Sequence, residues 1–238
     1  QGEEKPGILL SNDEKIDVSS FVSDYDEKFF ESGGLVNLKD WLNENESSAP
    51  RLDDSIRLGS PIARPSKIIC IGLNFKDHAA ESGFDAPEEP LIFGKATSAI
   101  CGPYDNIIIP RGSEQTDWEV ELGVVIGKKT SYVDQDQALD HVGGYVLHND
   151  VSERAFQKDR GGQWIKGKSA DTFAPMGPFM ATPDEIDNIS DMRMWLNVNG
   201  ENMQDGNTSN LIFSVDHVVS YLSQFMTLLP GDVISTGT

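Results

Sequence analysis

One stretch of the sequence, TDWEVELGVVIG at Thr116–Gly127, alternates strictly, as a β-strand does when one face is apolar. The apolar face consists of Trp118, Val120, Leu122, Val124 and Ile126. The other face carries Glu119 and Glu121, followed by Gly123 and Val125. Two carboxylates side by side repel each other unless a cation or water screens them, and the small residues beside them are typical of a cavity lining in which Gly123 leaves space. The pattern points equally to a metal site and to the wet face of an edge strand.

A third carboxylate, Asp150, ends the predicted strand in GYVLHND. With Glu119 and Glu121 it would complete an all-oxygen site, which suits Mg²⁺ or Mn²⁺ better than Zn²⁺ because zinc prefers His and Cys ligands. The alternative is structural, since Asp150 or Ser152 could cap the short helix predicted to begin at Ser152.

The segment NFKDHAAESG, residues 74–83, places His78 and Glu81 three residues apart on one face of a predicted helix. A histidine oriented by a carboxylate can activate a water molecule as a nucleophile. A solvated surface helix explains the same spacing, and the two residues taken alone favour that interpretation.

The segment GQWIKGKS, residues 162–169, matches the phosphate-loop pattern of nucleotide-binding proteins letter for letter. That loop must follow a hydrophobic strand and open a long helix, whereas here a polar helix precedes it and Pro175 and Pro178 follow it. We therefore reject a nucleotide-hydrolysing function. Lys168 remains of interest as a cation that could approach an acidic, metal-bearing cavity.

The chain as a whole predicts many short strands, few helices and no βαβ alternation, which favours a strand-rich α+β fold such as a barrel or paired sheets. Residues 1–60 read as a small N-terminal α/β module of two short strands and a helix, ending in a polar linker. Residues 61–238 form the main domain. Its strand candidates are KIICIGL, PLIFGK, NIIIP, VELGVVIG, GYVLHND, GPFMA, MRMWLNVNG and DVISTG.

Composition excludes two classes of partner. The formal net charge of −20 argues against nucleic acid and against anionic membrane surfaces, because both attract clustered Lys and Arg. No apolar run approaches the roughly 18 residues that a membrane span needs, and we expect no secretion signal at the N-terminus. Cys70 and Cys101 lie in apolar segments without metal-ligand spacing, which predicts a reduced, cytoplasmic protein.

Six sequence blocks follow one another in the order GLNFKDHAAESG, PLIFGKATSA, DWEVELGVVIGK, GGYVLHNDVSERAFQ, GKSADTFAPMGP and PGDVISTGT. Together they resemble the fumarylacetoacetate hydrolase family over residues 61–238. The resemblance implies a mixed β-roll as the catalytic fold, with the first 60 residues as the small extra module of many bacterial members. The family pattern continues past the last block with a loop and closing strands, so we expect the C-terminal end of the domain to be truncated at residue 238.

The resemblance also implies roles for individual residues. The metal ligands of the family correspond to Glu119, Glu121 and Asp150. The water-activating dyad and the lysine near the metal correspond to His78, Glu81 and Lys168. The positions that hold a substrate carboxylate correspond to Arg154, Gln157, Lys95 and Thr238.

The implied activity is that of a Mg²⁺- or Mn²⁺-dependent hydrolase, with Ca²⁺ as a substitute, that cleaves a C–C bond in a 2,4-diketo acid. An acylpyruvate or a diketo-deoxy sugar acid such as the rhamnonate derivative would serve as substrate. The same site could instead decarboxylate or isomerise an oxo-dicarboxylate such as oxaloacetate, and a cation-binding fold without catalysis is a third possibility. The expected partners are a small anionic keto acid and a second copy of the chain in a homodimer.

Overall fold

A computed structural model describes residues 4–77, 83 and 85–238, and its N-terminal part is a small sheet with two helices. Strands β1 (Gly7–Leu9), β2 (Lys15–Asp17) and β3 (Arg51–Leu52) pair antiparallel in that order. Helices α1 (Glu27–Glu31) and α2 (Gly34–Asn45) lie between β2 and β3. The Asp26 carboxylate accepts a hydrogen bond from the backbone N–H of Phe29, and this N-cap starts α1.

The rest of the chain supplies a mixed seven-stranded sheet and two smaller ribbons. Its strands are β4 (Ile68–Gly72), β5 (Leu91–Lys95), β6 (Ile100–Cys101), β7 (Thr116–Asp117), β8 (Val120–Ile126), β9 (Val142–Asn149), β10 (Ser152–Glu153), β11 (Ala174–Ala181), β12 (Arg193–Val198), β13 (Glu201–Asn207) and β14 (Val233–Ser235). The sheet order is β5-β4-β14-β8-β9-β11-β6, with β14 parallel to β4 and β6 parallel to β11. β12 pairs with β13, and β7 with β10. The predicted strand-rich α+β class is confirmed.

After the N-terminal part, the helices among the described residues are short and few. They are α3 (Arg154–Lys158), α4 (Ile165–Lys168) and α5 (Val215–Ser223), together with 3₁₀ turns at Thr97–Ala99, Gln135–His141, Pro183–Glu185 and Thr208–Asn210. In the part of the chain that the structure describes, none of them combines the length and the apolar character needed to cross a membrane. The phosphate-loop-like segment contains only α4, which follows a turn and spans four residues. It therefore lacks the strand–loop–helix geometry of a phosphate loop.

Two apolar layers cover the two faces of the sheet, and β8 contributes to both because its alternate residues point to opposite sides. Leu122, Val124 and Ile126 pack in the layer that contains α5. Val125 packs in the other layer, which also contains Phe29 and Phe30 of the N-terminal part. The predicted alternation of this strand is thus confirmed, and the first 60 residues share a core with the sheet. The domain boundary near residue 60 stays a prediction.

Two local expectations are wrong. Residues 106–110 (NIIIP) form no strand: Ile108 and Ile109 are 60% and 56% exposed, and the N–H of Ile108 donates to the Thr172 hydroxyl instead of to a neighbouring strand. β-propensity alone does not supply a pairing partner. Gly123 does not leave space in a cavity, since a Cβ there would lie 2.6 Å from Cγ1 of Val146. This glycine permits the close approach of β8 and β9.

Candidate active site and metal centre

Three buried carboxylates meet where β8 begins and β9 ends. Glu121 lies within β8, Glu119 directly precedes it, and Asp150 directly follows β9. The antiparallel register sets Val120 opposite Asn149, and the N–H of Asp150 donates to the carbonyl of Glu119 at 2.9 Å. Each carboxylate offers an oxygen that lies within 4.8 Å of the other two. The structure therefore brings together the three acids that the sequence suggests as metal ligands.

Two buried lysines contact this carboxylate cluster. Lys168, at the end of α4, places Nζ 2.6 Å from Glu119 Oε2 and 2.7 Å from Asp150 Oδ2. Lys95, at the end of β5, places Nζ 2.5 Å from the other oxygen of Asp150. The Lys168 ammonium also lies 5.1 Å from the ring centroid of Phe93, which is a cation–π contact.

The electrostatic environment shifts the pKa values of Asp150 and Glu121 in opposite directions. Burial acts to raise the pKa of Asp150, but Lys168 and Lys95 outweigh it and lower that pKa to about 2. Burial, with the charges of Asp150 and Glu119, raises the pKa of Glu121 to about 8. Among the residues that the structure describes, the ion pairs of the cluster involve Glu119 and Asp150 but not Glu121. Lys168 still acts to lower the pKa of Glu121, but burial and the two neighbouring acids outweigh it.

The donor set of the cluster fits a hard divalent cation. Its three donor groups are carboxylates, the ligands that Mg²⁺ and Mn²⁺ prefer. The hydrogen bonds to Glu121 from the described residues both end on Oε2, from the Ser235 hydroxyl at 2.5 Å and the Gly237 N–H at 2.9 Å. Glu121 has no ion-pair partner among the described residues, and its neighbours in the cluster are carboxylates. Both features are compatible with a cation at this point.

A guanidinium borders the cluster on a second side. Arg154, the first residue of α3, places Nη1 2.7 Å from Glu119 Oε1, and the same nitrogen donates to Gln157 Oε1 at 3.1 Å. Its Nε and Nη2 both donate to Asp117 Oδ2, at 2.9 and 2.7 Å. The sequence predicts no role for Asp117, although it lies two residues before Glu119 in the same alternating stretch, where strand periodicity places it on the same face.

Thr238 lies at the edge of the site together with Gln204, for which the sequence predicts no role. The Thr238 hydroxyl donates to the carbonyl of Val120 at 2.8 Å and accepts from Gln204 Nε2 at 2.6 Å. Gln204 also accepts from the N–H of Val120 through its Oε1, at 2.8 Å. Gln204 therefore links the β12–β13 ribbon to the start of β8. No local sequence pattern indicates this contact.

His78 and Glu81 lie outside the described residues. The chain that leads toward them is anchored beside β14, because the Asn74 amide donates to the carbonyls of Thr236 at 2.7 Å and Phe213 at 3.1 Å. The roles suggested for the dyad stay predictions.

A buried histidine with no predicted role lies beside Glu121. His148 in β9 is paired in register with Glu121, and its Nδ1 is 2.5 Å from the hydroxyl oxygen of Ser235. Burial lowers the pKa of His148 to about 3, so the ring is neutral. The triad of His148, Ser235 and Glu121 links three neighbouring strands, β9, β14 and β8.

The chain is similar to known proteins over most of its length. The family description "Fumarylacetoacetate (FAA) hydrolase C-terminal" matches residues 67–238. A curated protein of Burkholderia ambifaria, whose name suggests a hydrolase and specifies no substrate, is 50% identical over 237 residues, covering 100% of this chain and 83% of the relative.

Solved structures of two kinds resemble the chain. Maleylpyruvate hydrolase of Sphingobium sp. SYK-6, solved with manganese(II) and pyruvate, is 27% identical with a TM-score of 0.83, over 98% of this chain and 84% of that one. A 2-hydroxyhepta-2,4-diene-1,7-dioate isomerase of Mycobacterium marinum is 39% identical with a TM-score of 0.68, over 76% and 66%.

Proposed function

The chain belongs to the fumarylacetoacetate hydrolase family, and from this premise we propose that it is a Mg²⁺- or Mn²⁺-dependent hydrolase that cleaves a C–C bond of a 2,4-diketo acid. The substrate is an acylpyruvate or a diketo-deoxy sugar acid. The observation that carries the proposal is the buried cluster of Glu119, Glu121 and Asp150 with Lys168 against it. The manganese and pyruvate in the structure of a maleylpyruvate hydrolase with this fold support the substrate class.

Binding of an anion to so acidic a chain depends on local positive charge. When bound, a divalent cation held by the three carboxylates supplies Lewis acidity toward the α-keto acid end of the substrate. Arg154 and Gln157 on α3, together with Lys95 and Thr238, bind the substrate carboxylate and orient it. Arg154 is already held by Asp117, so its guanidinium needs little reorganisation to do so.

The hydrolytic step requires a base and a group that stabilises negative charge. His78, oriented by Glu81, takes a proton from water while the water oxygen bonds to the distal carbonyl carbon. The C–C bond next to that carbon breaks and leaves its electron pair on the enolate of the keto-acid fragment, whose charge the Lys168 ammonium stabilises. The proton held by His78 returns to the enolate carbon, which yields a carboxylic acid and an α-keto acid.

A turnover screen tests the proposal. The purified protein, with Mg²⁺ or Mn²⁺ added, is offered acylpyruvates, diketo-deoxy sugar acids and oxaloacetate, and pyruvate or the second acid is measured. We expect metal-dependent release of an α-keto acid and a carboxylic acid in equal amounts from at least one diketo acid. Protein that binds metal but turns over none of these diketo acids would contradict the proposal.

A second candidate activity is isomerisation or decarboxylation of an oxo-dicarboxylate, which the 39% identical isomerase favours. Neither reaction needs an attacking water. Replacing His78 with Ala separates the two: the hydrolase loses nearly all turnover, whereas the isomerase or decarboxylase keeps much of it. His217→Ala, a histidine of α5 that stacks on Phe213, serves as the matched control.

The proposal extends to a homodimer in the cytoplasm. Leu147 of β9 and Phe179 of β11, on adjacent strands, are 53% and 49% exposed in the single chain, which supports a covering surface from a second copy. Light scattering after gel filtration measures the mass, and a monomer at micromolar concentration would count against the dimer.

A further inference from the structure

A chain of buried hydrogen bonds leads away from the metal-facing acids into the sheet. The Ser235 hydroxyl donates to Glu121 Oε2 at 2.5 Å and lies 2.5 Å from Nδ1 of His148. Glu121, Ser235 and His148 are 2%, 0% and 1% exposed. The backbone N–H of Gly237 donates to the same carboxylate oxygen at 2.9 Å. Strand pairing sets this arrangement, since β8 lies between β14 and β9.

The direction of these hydrogen bonds follows from counting protons. A hydroxyl carries one proton, and with a cation bound the Glu121 carboxylate is ionised and can only accept, so the Ser235 proton points to Glu121 Oε2. The Ser235 oxygen must then accept from Nδ1 of His148, which fixes the neutral tautomer with its proton on Nδ1. The Nε2 atom is left as a buried acceptor with no hydrogen-bond partner among the described residues. One ring nitrogen of His148 therefore forms a hydrogen bond with Ser235, whereas the other has no hydrogen-bond partner among the described residues.

We propose that Ser235 and His148 are positioning residues of the metal site, which hold Glu121 in one orientation through Oε2, so that Oε1 would be available to a cation. Ser235 acts on the carboxylate directly, and His148 acts by orienting the Ser235 hydroxyl. Hydrogen-bond partners of this kind fix the orientation of a metal ligand, and so they raise the affinity of the site for the metal. The inference rests on the proposed metal site, and it assigns a function to two residues that neither touch substrate nor bind metal themselves.

The test measures Mn²⁺ affinity without any substrate. The dissociation constant is obtained by titration calorimetry or by the EPR signal of free Mn²⁺, for the purified protein and for Ser235→Ala, His148→Leu and His148→Asn. Loss of a ligand-orienting partner typically weakens metal binding about 10–100-fold, so we expect an effect of that size for Ser235→Ala and a smaller loss for His148→Leu. His148→Asn offers an amide N–H near the position of Nδ1 and should restore most of the affinity.

The control is Ser223→Ala. Ser223 is 1% exposed, its hydroxyl accepts from the Val133 N–H, and it lies on α5 away from the cluster. It should lower thermal stability and leave the Mn²⁺ dissociation constant unchanged. Folded Ser235→Ala protein with unchanged affinity would overturn the inference, and so would equal losses in His148→Leu and His148→Asn if Ser235→Ala does not fold. A parent protein that fails to bind Mn²⁺ would instead overturn the proposed function itself.

Discussion

The ammonium group of Lys168 lies between two acids that β8 and β9 bring together, and its side chain is 2% exposed. Replacing it with Met leaves Glu119 and Asp150 without that cation, and breaking a buried ion pair costs about 3–5 kcal/mol of unfolding free energy. If Lys168 stabilises the enolate as we propose, loss of this donor also lowers kcat by about 10²–10³. Urea denaturation and steady-state turnover at saturating Mn²⁺ measure the two effects.

Lys166→Met is the matched control for Lys168→Met, since Lys166 lies on the same short helix but is exposed and donates to the carbonyl of Arg160. It should leave stability and turnover nearly unchanged. A Lys168→Met protein as stable as the parent would mean that the buried acids do not depend on this charge.

Asp117 acts on the site through Arg154. Replacing Asp117 with Asn weakens both hydrogen bonds to the guanidinium and lets it move from the position in which we propose that it binds the substrate carboxylate. We expect KM to rise about tenfold, equivalent to roughly 1.4 kcal/mol, with a smaller change in kcat. Asp205→Asn, which weakens a similar two-nitrogen contact to Arg193 on the exposed β12–β13 ribbon, should change neither constant. Equal changes of KM in Asp117→Asn and Asp205→Asn would show that Asp117 does not act on the site through Arg154.

Strand periodicity around Glu119 and Glu121, together with the strand GYVLHND that ends in Asp150, predicted the acid cluster. The alternation around Glu119 and Glu121 set both carboxylates on one face, and the position of Asp150 after the next strand brought it beside them through hairpin pairing. Ser235 could not be found this way, because its contact with Glu121 joins positions 114 residues apart. Local patterns predict which face a side chain occupies, whereas sheet order decides which strand lies opposite.

The junction of β8 and β9 gives a prediction at the scale of elements. In Gly123→Ala the added methyl would lie 2.6 Å from Cγ1 of Val146 and 3.1 Å from its carbonyl oxygen, so the strands must separate. Overpacking of this kind costs about 1–3 kcal/mol, and because Glu121 lies two residues away we expect weaker Mn²⁺ binding as well. In Gly206→Ala the methyl would approach Phe75 only to 3.9 Å. Thermal melting and Mn²⁺ titration should find this second variant close to the parent; equal destabilisation of both would contradict the close approach at Gly123.

The whole molecule should gain stability from a bound cation. A ligand that binds only the folded state stabilises it by about 2.7 kcal/mol at a concentration 100 times its dissociation constant. We expect Mn²⁺ to raise Tm by several degrees over the same protein in EDTA, measured by differential scanning calorimetry. The Glu121→Gln variant lacks one charged ligand and should melt at nearly the same temperature with and without Mn²⁺. An undiminished Mn²⁺ shift in that variant would place the cation elsewhere.

The position of β14 has a consequence for how the chain is made. This strand lies in the sheet between β4 and β8, and all of the intervening sequence must leave the ribosome before it does. Until then β4 and β8 each present an open, apolar edge, which invites pairing with another nascent chain. The central sheet therefore cannot close during synthesis of its first strands, and Glu121 of the acid cluster gains its hydrogen bond from Ser235 only when β14 arrives.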